Sequence, residues 1–171
     1  MSVGTDDLDG LAQIRDEAHI RRLPLAYADA FLTRDDSSML ALWAPLDPPA
    51  PPPALDATWA RSLVARWQSL GTTMLHVTNH LVWFDDHNHA RGRVFCLAQL
   101  DRGDTFIDQS IVYEDRYVNL GDGWRFEVRR HLLWFGAARP AHPMDQPPAD
   151  WPASQLGRGT LPEDLPDLRP A

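Results

Sequence analysis

His76 is one of the side chains in this sequence that could carry acid–base chemistry. A neutral imidazole has a pKa of about 6.5, so it accepts a proton near neutral pH, and a carboxylate on its other nitrogen fixes the tautomer. The surrounding segment alternates apolar and polar residues, and an unbulged strand would place Thr78 and His80 on the same side as His76. The pattern predicts either a general base in a pocket or a histidine that donates one hydrogen bond from a strand.

Arg129 is the second candidate, because a buried guanidinium binds a carboxylate through two parallel hydrogen bonds or stabilises a developing anion. Strand alternation predicts Arg129 on one face with Glu127 and His131, and Phe126 on the opposite face. A cavity position is one interpretation of Arg129. The alternative is a cross-strand salt bridge on the outer face, with Glu127 or Asp115 as the partner.

Several other side chains are candidates for contacts with a small molecule. Tyr27, Trp43 and Tyr113 would supply aromatic walls, although aromatic residues at helical or strand spacing usually belong to a core. Cys96 is interpreted first as a small interior hydrophobic residue. His131, on a neighbouring predicted strand, would join His76 and His80 in a metal site, but no acidic residue is evident near them, so the residues do not favour a metal site.

Helices are predicted in the first 70 residues. Apolar residues recur near helical spacing from Asp9 to about Thr33, with a kink or break expected at Pro24. A short helix over Met39–Trp43 follows, and then a proline-rich loop over residues 45–54. A second amphipathic helix is predicted from Asp56 to Leu70.

The periodicity changes to two after Gly71, and four segments rich in β-branched and aromatic residues follow, separated by turn sequences. The predicted strands are Met74–Asp85, Ala90–Asp101, Thr105–Asn119 and Trp124–Phe135. Helices before a long antiparallel meander predict an α+β fold, a cone in which the helices pack inside a curved sheet. Residues 1–136 would form this domain, and 137–171 a proline-rich tail or arm.

Composition excludes several function classes. The 171 residues carry 16 basic and 24 acidic side chains, for a net charge of -8, which opposes binding to nucleic acid or an anionic membrane. All the basic residues are arginine, so Schiff-base chemistry and a Walker A lysine are absent. The single cysteine excludes a disulfide framework, and the acidic amino terminus does not resemble a signal peptide. We therefore expect a cytoplasmic protein.

The order of several motifs resembles the SnoaL-like branch of the NTF2-like superfamily. The matching pieces are Tyr27–Asp35 (YADAFLTRD), Leu75–Asn79 (LHVTN), Tyr113–Asp115 (YED) and Gly123–Arg129 (GWRFEVR). Members include polyketide cyclases, scytalone dehydratase, hexachlorocyclohexane dehydrochlorinase and the small subunits of ring-hydroxylating dioxygenases. The resemblance implies a cone-shaped fold, but fold alone does not give function, because this scaffold hosts several reactions.

The resemblance also implies roles for individual residues. It places His76 as the general base and Arg129 as an arginine directed into the cavity. Leu32 stands where the dehydratase and dehydrochlorinase carry the orienting aspartate, so Asp29 or Asp36 would have to replace that carboxylate. The predicted catalytic set is therefore His76, Asp29 and Arg129. The predicted substrate contacts are Tyr27, Leu32, Trp43, Thr78, Cys96, Tyr113 and His131.

Two functions are consistent with these observations. The first is a cofactor-independent lyase or isomerase that acts on a small hydrophobic, aromatic or polyketide-like molecule by proton abstraction. The second is a non-catalytic binding protein or a structural partner like the dioxygenase small subunits, which the missing carboxylate at Leu32 favours. The resemblance further implies a homodimer or homotrimer formed through the outer face of the sheet.

Overall fold

The computed structural model describes residues 5–67, 70–140 and 143. Three helices, α1 (Thr5–Thr33), α2 (Asp36–Ala41) and α3 (Ala57–Val64), accompany five strands. The strands are β1 (Ala54–Leu55), β2 (Thr73–Phe84), β3 (His89–Asp101), β4 (Phe106–Asn119) and β5 (Trp124–Ala138). The predicted carboxy-terminal tail falls almost entirely outside the described residues, apart from its first residues, which extend β5.

The strands form one antiparallel sheet in the order β1-β5-β4-β3-β2. The four predicted strands and their hairpins are confirmed. β1 was not predicted, because it is only two residues long and follows the proline run, yet it pairs with Arg129 and Arg130 of β5. The sheet is not closed. Helix α1 contacts both β2 and β5, at opposite sides of the sheet, so the sheet curves around it.

Apolar spacing and side-chain caps explain the helices. In α1 the buried residues Ile20, Leu23, Tyr27 and Ala30 follow the three-and-four spacing of one helix face, and the helix runs through Pro24 without the predicted break. Asp35 and Asp56 cap α2 and α3 by accepting hydrogen bonds from backbone amides of the first turn. Helix α3 ends at Val64, six residues before the predicted Leu70.

The larger core lies between the helices and the inner face of the sheet. It joins residues of α1 and α3 to Tyr117, Trp124 and Phe126 of the last two strands. The chain after α2 is held against β5, because the Ala44 amide donates to the Phe126 carbonyl and the Phe126 amide donates to the Leu42 carbonyl, each at 2.8 Å. A smaller apolar cluster around Cys96 and Tyr113 covers the rest of the inner face.

The outer face of the sheet is apolar near one end. The side chains of Leu97, Trp134 and Phe135 are at least half exposed there, and Trp134 stacks edge-on against Phe95. An exposed apolar cluster of this kind is typical of a subunit interface. The predicted dimer or trimer stays a prediction. None of the described helices is long and apolar enough to cross a membrane.

Candidate functional site

Two β-bulges decide which side chains enter the cone. In β2 the pairing with β3 shifts between Val77 and His80, so the inward side changes there and His80 lies on the inner face. In β5 the pairing with β4 shifts between Arg116 and Tyr117, because Glu127 is an extra residue. The shift brings Phe126 and Arg129 to the same inner face, whereas simple alternation predicted opposite faces.

Arg129 and Asp115 form a fully buried ion pair inside the cone. The guanidinium donates from Nε to Oδ1 at 2.8 Å and from Nη2 to Oδ2 at 2.7 Å, and neither side chain is exposed to solvent. The two residues are direct partners on β4 and β5. The two parallel hydrogen bonds fix the orientation of the guanidinium. Water does not reach either side chain, so each charge needs the other to offset the cost of its burial.

Three aromatic rings surround the Arg129 guanidinium. Its central carbon lies 4.1 Å from the ring centre of Tyr113, 4.3 Å from that of Phe126 and 4.5 Å from that of Tyr27. Aromatic faces attract cations, and the attraction strengthens when water is excluded. Tyr27 also contacts Trp43 edge-on, so the first helix and the segment after α2 both contribute to this aromatic enclosure.

A hydrogen-bonded chain continues from Asp115 to His80. Tyr117 donates its hydroxyl to Asp115 Oδ2 at 2.8 Å, and the hydroxyl oxygen of Tyr117 lies 3.0 Å from His80 Nε2. The hydroxyl has one proton and the carboxylate only accepts, so His80 donates from Nε2 to Tyr117. The chain therefore assigns neutral His80 the Nε2–H tautomer and leaves its Nδ1 lone pair available.

Gly92 makes room for this chain on β3. A Cβ at this position would lie 2.8 Å from Tyr117 Oη and 2.9 Å from His80 Nε2. Both distances are shorter than carbon contacts in proteins, so any larger residue would displace one of the two side chains. The glycine is required here by the close approach of the hydrogen-bonded pair.

Burial controls the protonation of the groups in the site. Desolvation lowers the pKa of His80 to about 4, although Asp115 opposes the shift. Burial raises the pKa of Tyr27 to about 12 and that of Tyr117 well above its ordinary value. Burial alone would lower the pKa of Arg129, but the Asp115 carboxylate outweighs it and raises that pKa. At neutral pH the site therefore holds a neutral imidazole, neutral phenols and a charged pair.

Two buried nitrogen atoms of this network have no hydrogen-bond partner among the described residues. They are Arg129 Nη1, a donor, and His80 Nδ1, which the tautomer makes an acceptor. Buried polar atoms without partners are costly in a folded protein, and they occur where a ligand or water completes the bonding. Arg129 Nη1 is therefore an unused hydrogen-bond donor, and His80 Nδ1 an unused acceptor.

The structure does not bring three of the predicted residues to this site. His76 is exposed and its Nε2 lies 3.2 Å from Gln99 Oε1, so its predicted position in the cavity is wrong. Thr78 is exposed and donates to the Phe95 carbonyl within the bulge region. Asp29 is exposed on the solvent side of α1, where its backbone carbonyl accepts a hydrogen bond from the Thr33 hydroxyl. The bulge in β2 explains the first two placements.

The remaining predicted residues lie inside the cone or at its edge. Arg129, Tyr27, Tyr113 and Trp43 are buried together, and Cys96 packs in the neighbouring apolar cluster. Burial raises the pKa of the Cys96 thiol to about 11, so it is protonated at neutral pH. His131 is exposed, but its ring lies 5.3 Å from that of Tyr113. Leu32 is half-buried. Asp36 is exposed, so it does not supply a carboxylate to the interior site.

Sequence reasoning missed Tyr117 and Gly92, named His80 only as a possible metal ligand beside His76, and placed Asp115 only as an outer-face partner of Arg129. The signal for Asp115 and Tyr117 was present, since period-two spacing from Tyr113 along β4 puts all three on one face. His80 had no such signal, because the bulge before it breaks the alternation. In the described part of the chain, no three His, Cys, Asp or Glu side chains are grouped as a metal site requires.

The comparisons with known proteins agree with this architecture. A family profile described as a SnoaL-like domain matches residues 12–130. The chain belongs to the SnoaL-like domain family. The match covers most of α1, the capped helices and most of the sheet, including every member of the Arg129–His80 network in this SnoaL-like domain. Among proteins with curated descriptions, none matches the sequence significantly.

Solved structures of low sequence identity share the fold of this SnoaL-like chain. A hexachlorocyclohexane dehydrochlorinase, LinA-type3 of Novosphingobium barchaimii, is 16% identical with a TM-score of 0.66, over 78% of this chain and 96% of its own. A provisional scytalone dehydratase of Novosphingobium aromaticivorans is 15% identical with a TM-score of 0.62, over 77% and 92%. Kfla4162 of Kribbella flavida is 20% identical with a TM-score of 0.62, over 73% and 95%.

Proposed function

We propose that this SnoaL-like protein is a cofactor-independent lyase or isomerase that removes a proton from a small hydrophobic or aromatic molecule bearing a polar oxygen. The observation that carries the proposal is the buried chain from Arg129 through Asp115 and Tyr117 to His80, with one free donor and one free acceptor. Lyase-type members of the same fold, a dehydrochlorinase and a provisional scytalone dehydratase, support the reaction class.

His80 replaces His76 as the proposed base. Its low pKa keeps the imidazole neutral at pH 7, and the Nε2–H bond to Tyr117 leaves Nδ1 to accept the substrate proton. The imidazolium formed by that transfer is stabilised by the Asp115 carboxylate, which lies beyond the Tyr117 hydroxyl. The orienting carboxylate thus comes from β4 through a tyrosine, whereas the sequence predicted a carboxylate from α1.

Arg129 Nη1 is the proposed electrophilic group. A carbonyl oxygen or a leaving anion that accepts its free N–H would gain a charge-assisted hydrogen bond in a site from which water is excluded. The rings of Tyr27, Tyr113 and Phe126 enclose the guanidinium, so its surroundings are apolar and favour an apolar molecule beside that oxygen. These contacts support an aromatic ketone or a related enolisable compound as the substrate class.

Proton exchange tests this proposal without knowledge of the final product. Aromatic ketones and β-diketones are incubated with the protein in deuterated water, and loss of the α-proton signal is followed by proton NMR. We expect His80→Gln to lower the exchange rate by at least about 100-fold, because it removes the base. The matched variant His76→Gln, on the outer face, should exchange at the wild-type rate.

The results separate the two histidines and the two functions. Exchange that survives in His80→Gln and disappears in His76→Gln would contradict the assignment.

The second candidate function is a non-catalytic binding protein. It is favoured by the Asp115 carboxylate, which already accepts three hydrogen bonds from Arg129 and Tyr117. Ligand binding seen by NMR line broadening, without exchange in the wild-type protein, would support this second function.

A further inference from the structure

A second pocket lies on the outer face of the sheet, on the side opposite the Arg129 network. Its volume is about 570 Å³, which falls within the usual range for small-molecule sites. Ala50 and Pro51 of the proline-rich loop form one wall together with Ala54 of β1. Trp83 and Val128 contribute apolar surface from the sheet, and the Trp83 side chain is nearly half exposed.

Four arginines line this outer pocket, and they are Arg91, Arg93, Arg116 and Arg130. Their side chains are about half exposed, and each is paired with a carboxylate on the surface. Glu114 is shared, since it lies 3.0 Å from Arg130 and 3.5 Å from Arg93. Asp85 and Glu127 pair with the other two. Four guanidiniums therefore face three carboxylates, and one positive charge is left over.

The charge of the outer pocket is opposite to that of the protein. The chain as a whole has a net charge of -8, yet this pocket has an excess of arginine beside the exposed Trp83 indole and the wall that contains Pro51. Asp115 also borders the pocket, but its carboxylate is held inside the cone by Arg129 and does not neutralise the outer arginines. Exposed ion pairs are weak, so an incoming anion competes readily with Glu114 for its two arginines.

We propose that the outer pocket binds a small aromatic anion, such as an aromatic carboxylate or sulfonate, independently of the interior site. The ring of the ligand packs on Trp83 and Pro51, and the anionic group contacts Arg93 and Arg130 in place of Glu114. Arginine suits this ligand class because its planar guanidinium binds an oxyanion with two donors and stacks on an aromatic face.

The test uses two fluorescent probes of nearly the same shape. Anilinonaphthalenesulfonate carries one negative charge, and N-phenylnaphthylamine has the same rings without it. We expect the charged probe to bind the full-length protein at least about fivefold more tightly than the neutral one, and to lose affinity as sodium chloride is raised. Equal affinity of the two probes would contradict an anion site.

Variants with opposite expected signs locate the site. Arg93→Gln and Arg130→Gln should each weaken binding of the sulfonate by about fivefold, because each removes one cation. Glu114→Gln should strengthen it by a similar factor, because it frees both arginines. Arg61→Gln changes an exposed arginine on α3 and should have no effect. The sulfonate could instead bind inside the cone, and affinities that the first three variants leave unchanged would then overturn the proposal.

Discussion

Replacing Asp115 by asparagine is expected to lower the free energy of unfolding by about 3–5 kcal/mol. Asp115 is the only described partner of the Arg129 guanidinium in an ion pair, and both side chains are fully buried. Without the carboxylate, a positive charge stays inside the cone with no opposite charge, and the single amide oxygen of asparagine must serve the three donors that the two carboxylate oxygens accept. Urea denaturation at neutral pH, followed by circular dichroism, measures this loss.

Glu114→Gln is the matched control for the Asp115 variant. Glu114 is the preceding residue on the same strand, and it also pairs with arginines, but its side chain lies on the outer face and is partly exposed. The same chemical change should alter the free energy of unfolding by no more than about 1 kcal/mol. Losses of similar size in the two variants would show that burial of the Arg129–Asp115 pair does not determine its importance.

Replacing Gly92 by alanine is expected to cost about 3 kcal/mol of stability. The added Cβ would lie within 2.9 Å of Tyr117 and His80, so the hydrogen bond between them must break or the strand must move. The backbone of Gly92 is not in the left-handed region, so the expected cost comes from the contact itself. Thermal or urea denaturation of the variant tests this, together with the changes of the Tyr117 and His80 signals in NMR spectra.

Gly136→Ala separates the contact from the general effect of a methyl group on a strand. A Cβ on Gly136 would meet its nearest atom, in Gln109, at 3.5 Å, which is an ordinary van der Waals distance. We expect Gly136→Ala to be neutral or to stabilise the protein by up to about 1 kcal/mol, since alanine restricts the unfolded chain. A Gly92→Ala variant as stable as Gly136→Ala would contradict the close packing of Tyr117 and His80.

The elements of the fold could be predicted from the sequence to a large extent. Period-two alternation and turn residues predicted the four long strands, and helical spacing with an Asp cap predicted α1 and the start of α3. β1 escaped prediction because two residues carry no periodicity. Helix α3 ends at Val64, before the predicted Leu70. Trp67 is buried although it lies beyond the end of the helix, so the apolar residues that predicted a longer helix are buried without one.

The site was predicted less completely, because a bulge adds a residue without changing the local composition. The structure brings Arg129, Tyr27 and Tyr113 together in the interior, whereas the sequence left Arg129 open between the cavity and an outer-face salt bridge. His76 and His80 are four residues apart and would share a face on a regular strand, but the β2 bulge places them on opposite faces. The choice between two equivalent histidines therefore depended on tertiary pairing with β3.

The ionisation and tautomer of His80 test the central claim most directly. The protein is labelled with nitrogen-15, and the ring nitrogens of His80, assigned with the His80→Gln variant, are followed by NMR as the pH is lowered. We predict a neutral ring protonated at Nε2, with a pKa of about 4 because the imidazole is desolvated. A pKa of about 6.5, or a ring protonated at Nδ1, would contradict the buried chain from Arg129 to His80.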